Sequence, residues 1–147
     1  MYSKDEIREL KTEFWNTFAE QYPRKWLLYD TKIKDFALKF YLDKKSVEVL
    51  IAIEHKDLEL RKIYFQKIES LKTILTEEFL PDVEFDEYFT LSNGKQISKI
   101  WVEKEGITFH NKKNWDDIFE FFYDKMDAFE RFYYEYEDYI KDLETNV

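Results

Sequence analysis

Nine residues between Asn114 and Leu143 recur at alternating steps of four and three: Trp115, Phe119, Phe122, Met126, Phe129, Tyr133, Tyr136, Ile140 and Leu143. That spacing holds all nine on one stripe of an α-helix. Asn114 just before the stripe and Asp117 three residues on read as a helix start. At about 1.5 Å per residue the helix spans roughly 45 Å. A compact chain of this length is only about 38 Å across, so the helix must either run the length of the molecule or overhang it. Ile118, Phe121, Ala128, Phe132 and Tyr139 form a flanking stripe, and the two together are wider than one neighbouring helix can cover. The expectation is that the N-terminal half is buried, while Phe132, Tyr136, Tyr139 and Ile140 overhang as an aromatic strip rimmed by Glu135, Glu137 and Asp138. Such a strip is a surface for a protein partner or for self-association. The alternative is that this half too packs on its own domain.

The preceding chain supplies what the long helix packs against. Ser3 and Glu6 match a capping box. Ile7, Leu10, Phe14, Trp15, Phe18 and Tyr22 then predict a helix from about Lys4 to Gln21, closed by Pro23. Trp26–Tyr29 is a short apolar run that reads as a strand. Phe36 to Leu42 and Val47 to Ile53 alternate with a period of two around Lys44-Lys45, which predicts a hairpin. The second of these strands is apolar on both faces at Leu50 and Ala52, so it is expected to be central and covered on both sides. Asp57 caps a second helix with the stripe Leu60, Tyr64, Ile68, Leu71, Leu75 and Phe79, ending at Pro81. Val83 to Leu91 and Ile97 to Lys104 flank Ser92-Asn93-Gly94-Lys95, whose Asn-Gly pair favours a type I′ hairpin. The order gives an α+β fold in one domain over residues 1–147, a largely antiparallel sheet of about five strands covered by three helices. The element order also fits a restriction-endonuclease-like core.

Composition narrows the function classes. The 147 residues hold 44% hydrophobic side chains, two Gly, two Pro and no Cys. Absence of Cys excludes disulfides, thiolate nucleophiles and thiolate metal sites. No apolar run approaches the ~18 residues that would cross a bilayer, and Met1-Tyr2-Ser3-Lys4-Asp5 does not resemble a signal peptide. A cytoplasmic protein with no membrane partner is expected. The net charge is −9. From Trp115 onward eleven acids face Lys125, Arg131 and Lys141, a net −8. An acidic helix repels nucleic acid along its face and disfavours, without forbidding, a nucleic-acid partner.

Three stretches resemble a known family. They are Asp57-Leu58-Glu59-Leu60-Arg61-Lys62-Ile63-Tyr64-Phe65-Gln66-Lys67-Ile68-Glu69-Ser70-Leu71, then Ile97-Ser98-Lys99-Ile100, then Gly106-Ile107-Thr108-Phe109-His110-Asn111 running into Trp115-Asp116-Asp117-Ile118-Phe119-Glu120. They resemble the bacterial and archaeal domain of unknown function 4268, here as a standalone member. That family's domain occurs alone or fused behind a nuclease-like domain, which implies an accessory role in DNA-processing or defence systems. The motifs are apolar anchors, and the resemblance carries over no catalytic residue.

One constellation could carry chemistry. Glu54-His55-Lys56 follows an apolar strand and precedes a helix, where nucleases of the PD-(D/E)xK type place an acid, any residue and a lysine. There the acid and a second carboxylate hold Mg²⁺, and the lysine activates water or stabilises the phosphorane charge. Counting across the hairpin from Asp43 opposite Ser46 puts Asp35 opposite Glu54. Asp35 and Glu54 are then the candidate metal ligands and Lys56 the catalytic residue. Glu13 or Glu20 could add a third acid, and Tyr64 or Gln66 could orient the site. The competing reading is a solvated strand end with Asp35 and Glu54 paired to lysines. His55 and His110 lack zinc-site spacing, no serine lies in an elbow motif, and two glycines cannot build a phosphate-cradling loop. Arg61, Lys62 and Lys67 around Tyr64 and Phe65 read either as a phosphate-contacting patch or as an ordinary amphipathic helix. The leading expectation is a non-enzymatic interaction module that needs no cofactor, Mg²⁺ entering only if the nuclease-like alternative holds.

Overall fold

The computed structural model describes residues 2–143. Helix α1 (Lys4–Gln21) starts at the expected capping box: Ser3 accepts from the Glu6 N–H and Glu6 reaches back to the Ser3 N–H. Strands β1 (Phe36–Leu42) and β2 (Ser46–Ile53) form the first hairpin. Helix α2 (Leu58–Ser70) is capped by Asp57, whose carboxylate accepts from the N–H groups of Glu59 and Leu60. A three-residue α3 (Lys72–Ile74) runs into a π-turn over Leu75–Phe79. Strands β3 (Glu84–Thr90) and β4 (Gln96–Glu105) form the second hairpin, and α4 (Trp115–Lys141) closes the described chain. Among the described residues no helix is long and apolar enough to cross a membrane.

The sheet has four strands, all antiparallel, in the order β1-β2-β4-β3. Among the described residues the fifth expected strand is absent. Trp26–Tyr29 is irregular because it is tied to the helices: the Trp26 ring stacks on Phe18, and the Leu27 backbone N–H donates to buried Glu130. The second helix also breaks earlier than its stripe suggests. There the Ser70 hydroxyl donates to the Lys67 carbonyl, and the Leu71 N–H donates three residues back, to Ile68, where the α-helical ladder stops. The Asn-Gly hairpin is not type I′. Only Gly94 has positive φ, at 90°, and its N–H donates to Leu91 while the Leu91 N–H donates to Lys95. That is a three-residue loop with glycine in the left-handed position. Asn114 does not cap α4. Its amide donates to the Thr108 carbonyl, and Asn111 caps the short turn before the helix.

Alternation along the strands sorts side chains onto two faces. Phe36, Leu38 and Leu42 with Val47, Val49, Ile51 and Ile53 join α1, α2 and α4 in the main core. Phe14 and Phe18 of α1 pack on Phe119 and Phe122 of α4, under Trp15 and Phe40. The C-terminal half of α4 does not overhang. Phe132 and Ile140 are fully buried, because the π-turn and α2 fold back over them: Phe79 packs edge-on to Phe132, and the Tyr139 hydroxyl hydrogen-bonds Ser70. The expected exposed strip therefore shrinks to Tyr136, half-buried, and Tyr139.

Candidate functional site

The opposite face of the sheet has its own small cluster, Leu50, Ala52 and Ile97, with Phe89, Leu91 and Trp101 packed against it. Among the described residues no helical side chain joins this cluster. β2 is central as its sequence predicts, yet its second face is covered by the β3–β4 hairpin instead of by a helix. β3 carries a register shift between Asp86 and Phe89, and an extra residue in one strand sharpens the local twist. A groove of about 500 Å³ results, floored by Leu50, Ala52 and Ile97 and walled by Tyr41, Phe89 and Leu91.

The two ends of the groove differ in charge. At one end the Glu54 carboxylate takes Lys39 on one oxygen (2.5 Å) and Lys95 on the other (2.7 Å). Burial alone would push this carboxyl up, and the two ammonium hydrogen bonds outweigh it and hold it below the usual carboxylate range. In the middle, Lys99 is buried. Its ammonium pairs with Glu48 (2.8 Å) and sits over the rings of Phe89 (4.0 Å) and Trp101 (4.4 Å). At the other end Glu48 lies directly across from Glu103. Burial, then the charges of Glu48 and Glu105, push the Glu103 carboxyl up. Burial, then Asp43 and Glu48, push the Tyr41 phenol up as well. Glu48 and Glu103 thus share one cation, Lys99, at this end of the lining.

The sheet, the groove and most of α4 fall within one sequence unit, and the family model described as Domain of unknown function (DUF4268) matches it over residues 10–137. The chain belongs to that family. Neither a curated protein nor a solved structure matches it. In this DUF4268 chain the match takes in every groove residue named above.

The candidate catalytic residues are placed by the same register. Asp35 does lie opposite Glu54, and its carbonyl accepts the Glu54 N–H at 2.7 Å. Asp35 has left-handed backbone (φ 57°) and an exposed side chain. Lys56 is exposed beyond the end of β2. Among the described residues no group of three or more His, Asp or Glu could hold a metal ion. Glu13 pairs with Lys112, Tyr64 packs on Phe36 in the core, and Gln66 faces solvent. The expected phosphate-contacting patch is dispersed: Arg61 donates to the carbonyl and side chain of Gln96, and Lys67 is buried over the Tyr139 ring.

Sequence reasoning missed the groove. Its signals were the second apolar phase of β2 and the run Lys39, Lys95, Lys99 set against Glu48, Glu54 and Glu103. The β1–β2 count alone puts Lys39 and Glu54 on one face, whereas the pairing of β2 with β4, which brings in Lys99 and Glu103, joins two separate hairpins and is not written in either turn.

Proposed function

We propose that this chain is a non-enzymatic interaction module whose groove docks an extended segment of a protein partner, one carrying a basic side chain beside an apolar one. The observation that carries this reading is an apolar floor at the bottom of a sheet face that no described helical side chain joins, with two carboxylates, Glu48 and Glu103, set against the single ammonium of Lys99 at one end. Leu50, Ala52 and Ile97 suit an apolar side chain. A lysine or arginine near Glu103 would relieve the repulsion from Glu48 and Glu105, and the net charge of −9 favours basic partners at long range. The partner would belong to the DNA-processing or defence setting that the family resemblance implies. The test is selection from a displayed library of random linear peptides. Peptides with Lys or Arg near an aliphatic residue should be enriched on the wild type and lost on Glu103→Lys. No enrichment, or enrichment that survives the substitution, overturns the reading.

A second reading keeps the metal-dependent nuclease, or an inactive relative on a restriction-endonuclease-like core, with Asp35 and Glu54 as ligands and Lys56 as the catalytic lysine. The backbone pairing of Asp35 with Glu54 favours it. Metal binding would have to displace Lys39 and Lys95 from Glu54. Calorimetric titration of Mn²⁺ decides: saturable binding that disappears in Glu54→Ala supports a site, and no heat of binding removes it.

A further inference from the structure

β1 is an edge strand, and its two halves are treated differently. The Glu54 N–H donates to Asp35 and the Asp43 N–H to Ser46, so the odd-numbered residues of β1 turn their backbone groups to β2. Even-numbered residues turn theirs outward. The first of these are covered by residues 28–33. The Phe36 N–H donates to Ile33, the Phe36 carbonyl accepts from the Thr31 hydroxyl (2.6 Å), and the Leu38 N–H donates to Leu28 (3.0 Å). From Phe40 to Leu42, among the described residues, nothing takes the outward groups.

An uncovered edge invites another strand, and proteins usually blunt such edges with charge, proline or a bulge. The opposite edge is blunted in this way, since β3 carries Glu84, Asp86 and Glu87 and a register shift. The open half of β1 reads Phe40-Tyr41-Leu42, with no charge and no proline, and Tyr41 is 47% exposed.

We propose that this half-edge pairs antiparallel with the same half-edge of a second copy, about a twofold axis at Tyr41. The sequence is complementary to itself in that register. Tyr41 meets Tyr41 of the second copy, Phe40 and Leu42 exchange backbone hydrogen bonds, and Lys39 falls opposite Asp43 on the same face as Tyr41. A self-complementary patch is what a twofold interface requires. Directly opposed aromatic and opposite-charge pairs both favour pairing. Lys39 has three donors and can keep Glu54 while meeting Asp43. Asp43 makes no ion pair within its own described chain. The fit also stops where it must, since the second copy turns away at Lys44 just where Leu28 begins to cover Leu38. Pairing joins the two sheets and places both grooves on one continuous face.

Sedimentation velocity over a concentration series at about 0.15 M salt, which screens charge beyond about 8 Å, tests this. The wild type should pass from monomer to dimer. Tyr41→Asp puts like charges on the axis and should stay monomeric throughout. Asp43→Lys should weaken association by about tenfold, and Lys39→Asp with Asp43→Lys should recover most of it. Far-ultraviolet circular dichroism and a thermal melt show that each variant is folded. If Lys39→Asp/Asp43→Lys does not fold, the proposal stands or falls on Tyr41→Asp, which alters an exposed side chain. A wild type that remains monomeric, or a dimer that Tyr41→Asp leaves intact, overturns it.

Discussion

Glu103 shows how one residue records an unfinished interaction. Its carboxyl is raised by burial and by Glu48 directly across the strand pair. A raised carboxyl binds its proton more tightly in the folded than in the unfolded chain. Its favourable contribution is complete below the unfolded value and fades as pH rises through the folded one. Glu103→Gln should therefore stabilise the protein at pH 7 by roughly 0.5 kcal/mol, with the gain vanishing in acid. Urea melts of both proteins at the two pH values check this. Glu54 has the opposite sign. Its carboxyl is lowered, so its contribution is present above the ordinary carboxylate value and lost as pH falls through the folded one. Glu54→Gln should flatten the acid limb of the stability curve, measured by the same melts. Neither shift could be read along the chain. The hairpin count did put Asp35 across from Glu54. It could not show that Lys39 and Lys95 would reach the carboxylate first, because Lys95 arrives from a second hairpin.

Elements were legible where local chemistry decides them. The Ser3–Glu6 capping box, the Asp57 cap, the alternation of β1 and β2 and the end of α1 before Pro23 are all short-range signals. The errors lie where tertiary contacts decide. Trp26–Tyr29 has strand-like residues, yet it is held as an irregular strap on α4. Arg24 bonds Asp127 and Glu130 while its guanidinium lies 4.2 Å over Trp26, and Glu130 also accepts the Leu27 N–H at 2.6 Å. Arg24→Ala leaves the Glu130 carboxylate, only 5% exposed, without its cation. It should cost about 3 kcal/mol, read as a shift in urea midpoint at unchanged slope. The length of α4 misled for a related reason. A spherical outline implies overhang, whereas the π-turn packs against the helix's far half through Phe79 on Phe132. Phe132→Ala should accordingly cost about 4 kcal/mol by thermal or urea melt, and truncation at Glu130 should abolish the cooperative transition, because Phe132, Tyr133 and Ile140 are core.

At the scale of the whole molecule the decisive fact is the one-sided placement of helices. The sequence pattern of β2 showed that both its faces are apolar and could not say what covers the second. With α1, α2 and α4 on one side, the other side keeps an open groove and one open half-edge. The same asymmetry divides the four tryptophans. Trp15 stacks on Phe122, Trp26 stacks on Phe18, and Trp115 is buried with its N–H on the Phe109 carbonyl. Trp101 stands alone on the groove side, beside Phe89 and the Lys99 ammonium. The molecule thus carries an optical probe on each side of its sheet. Subtracting the emission of Trp101→Phe from that of the wild type leaves a signal for the groove, while the remaining three indoles report on folding.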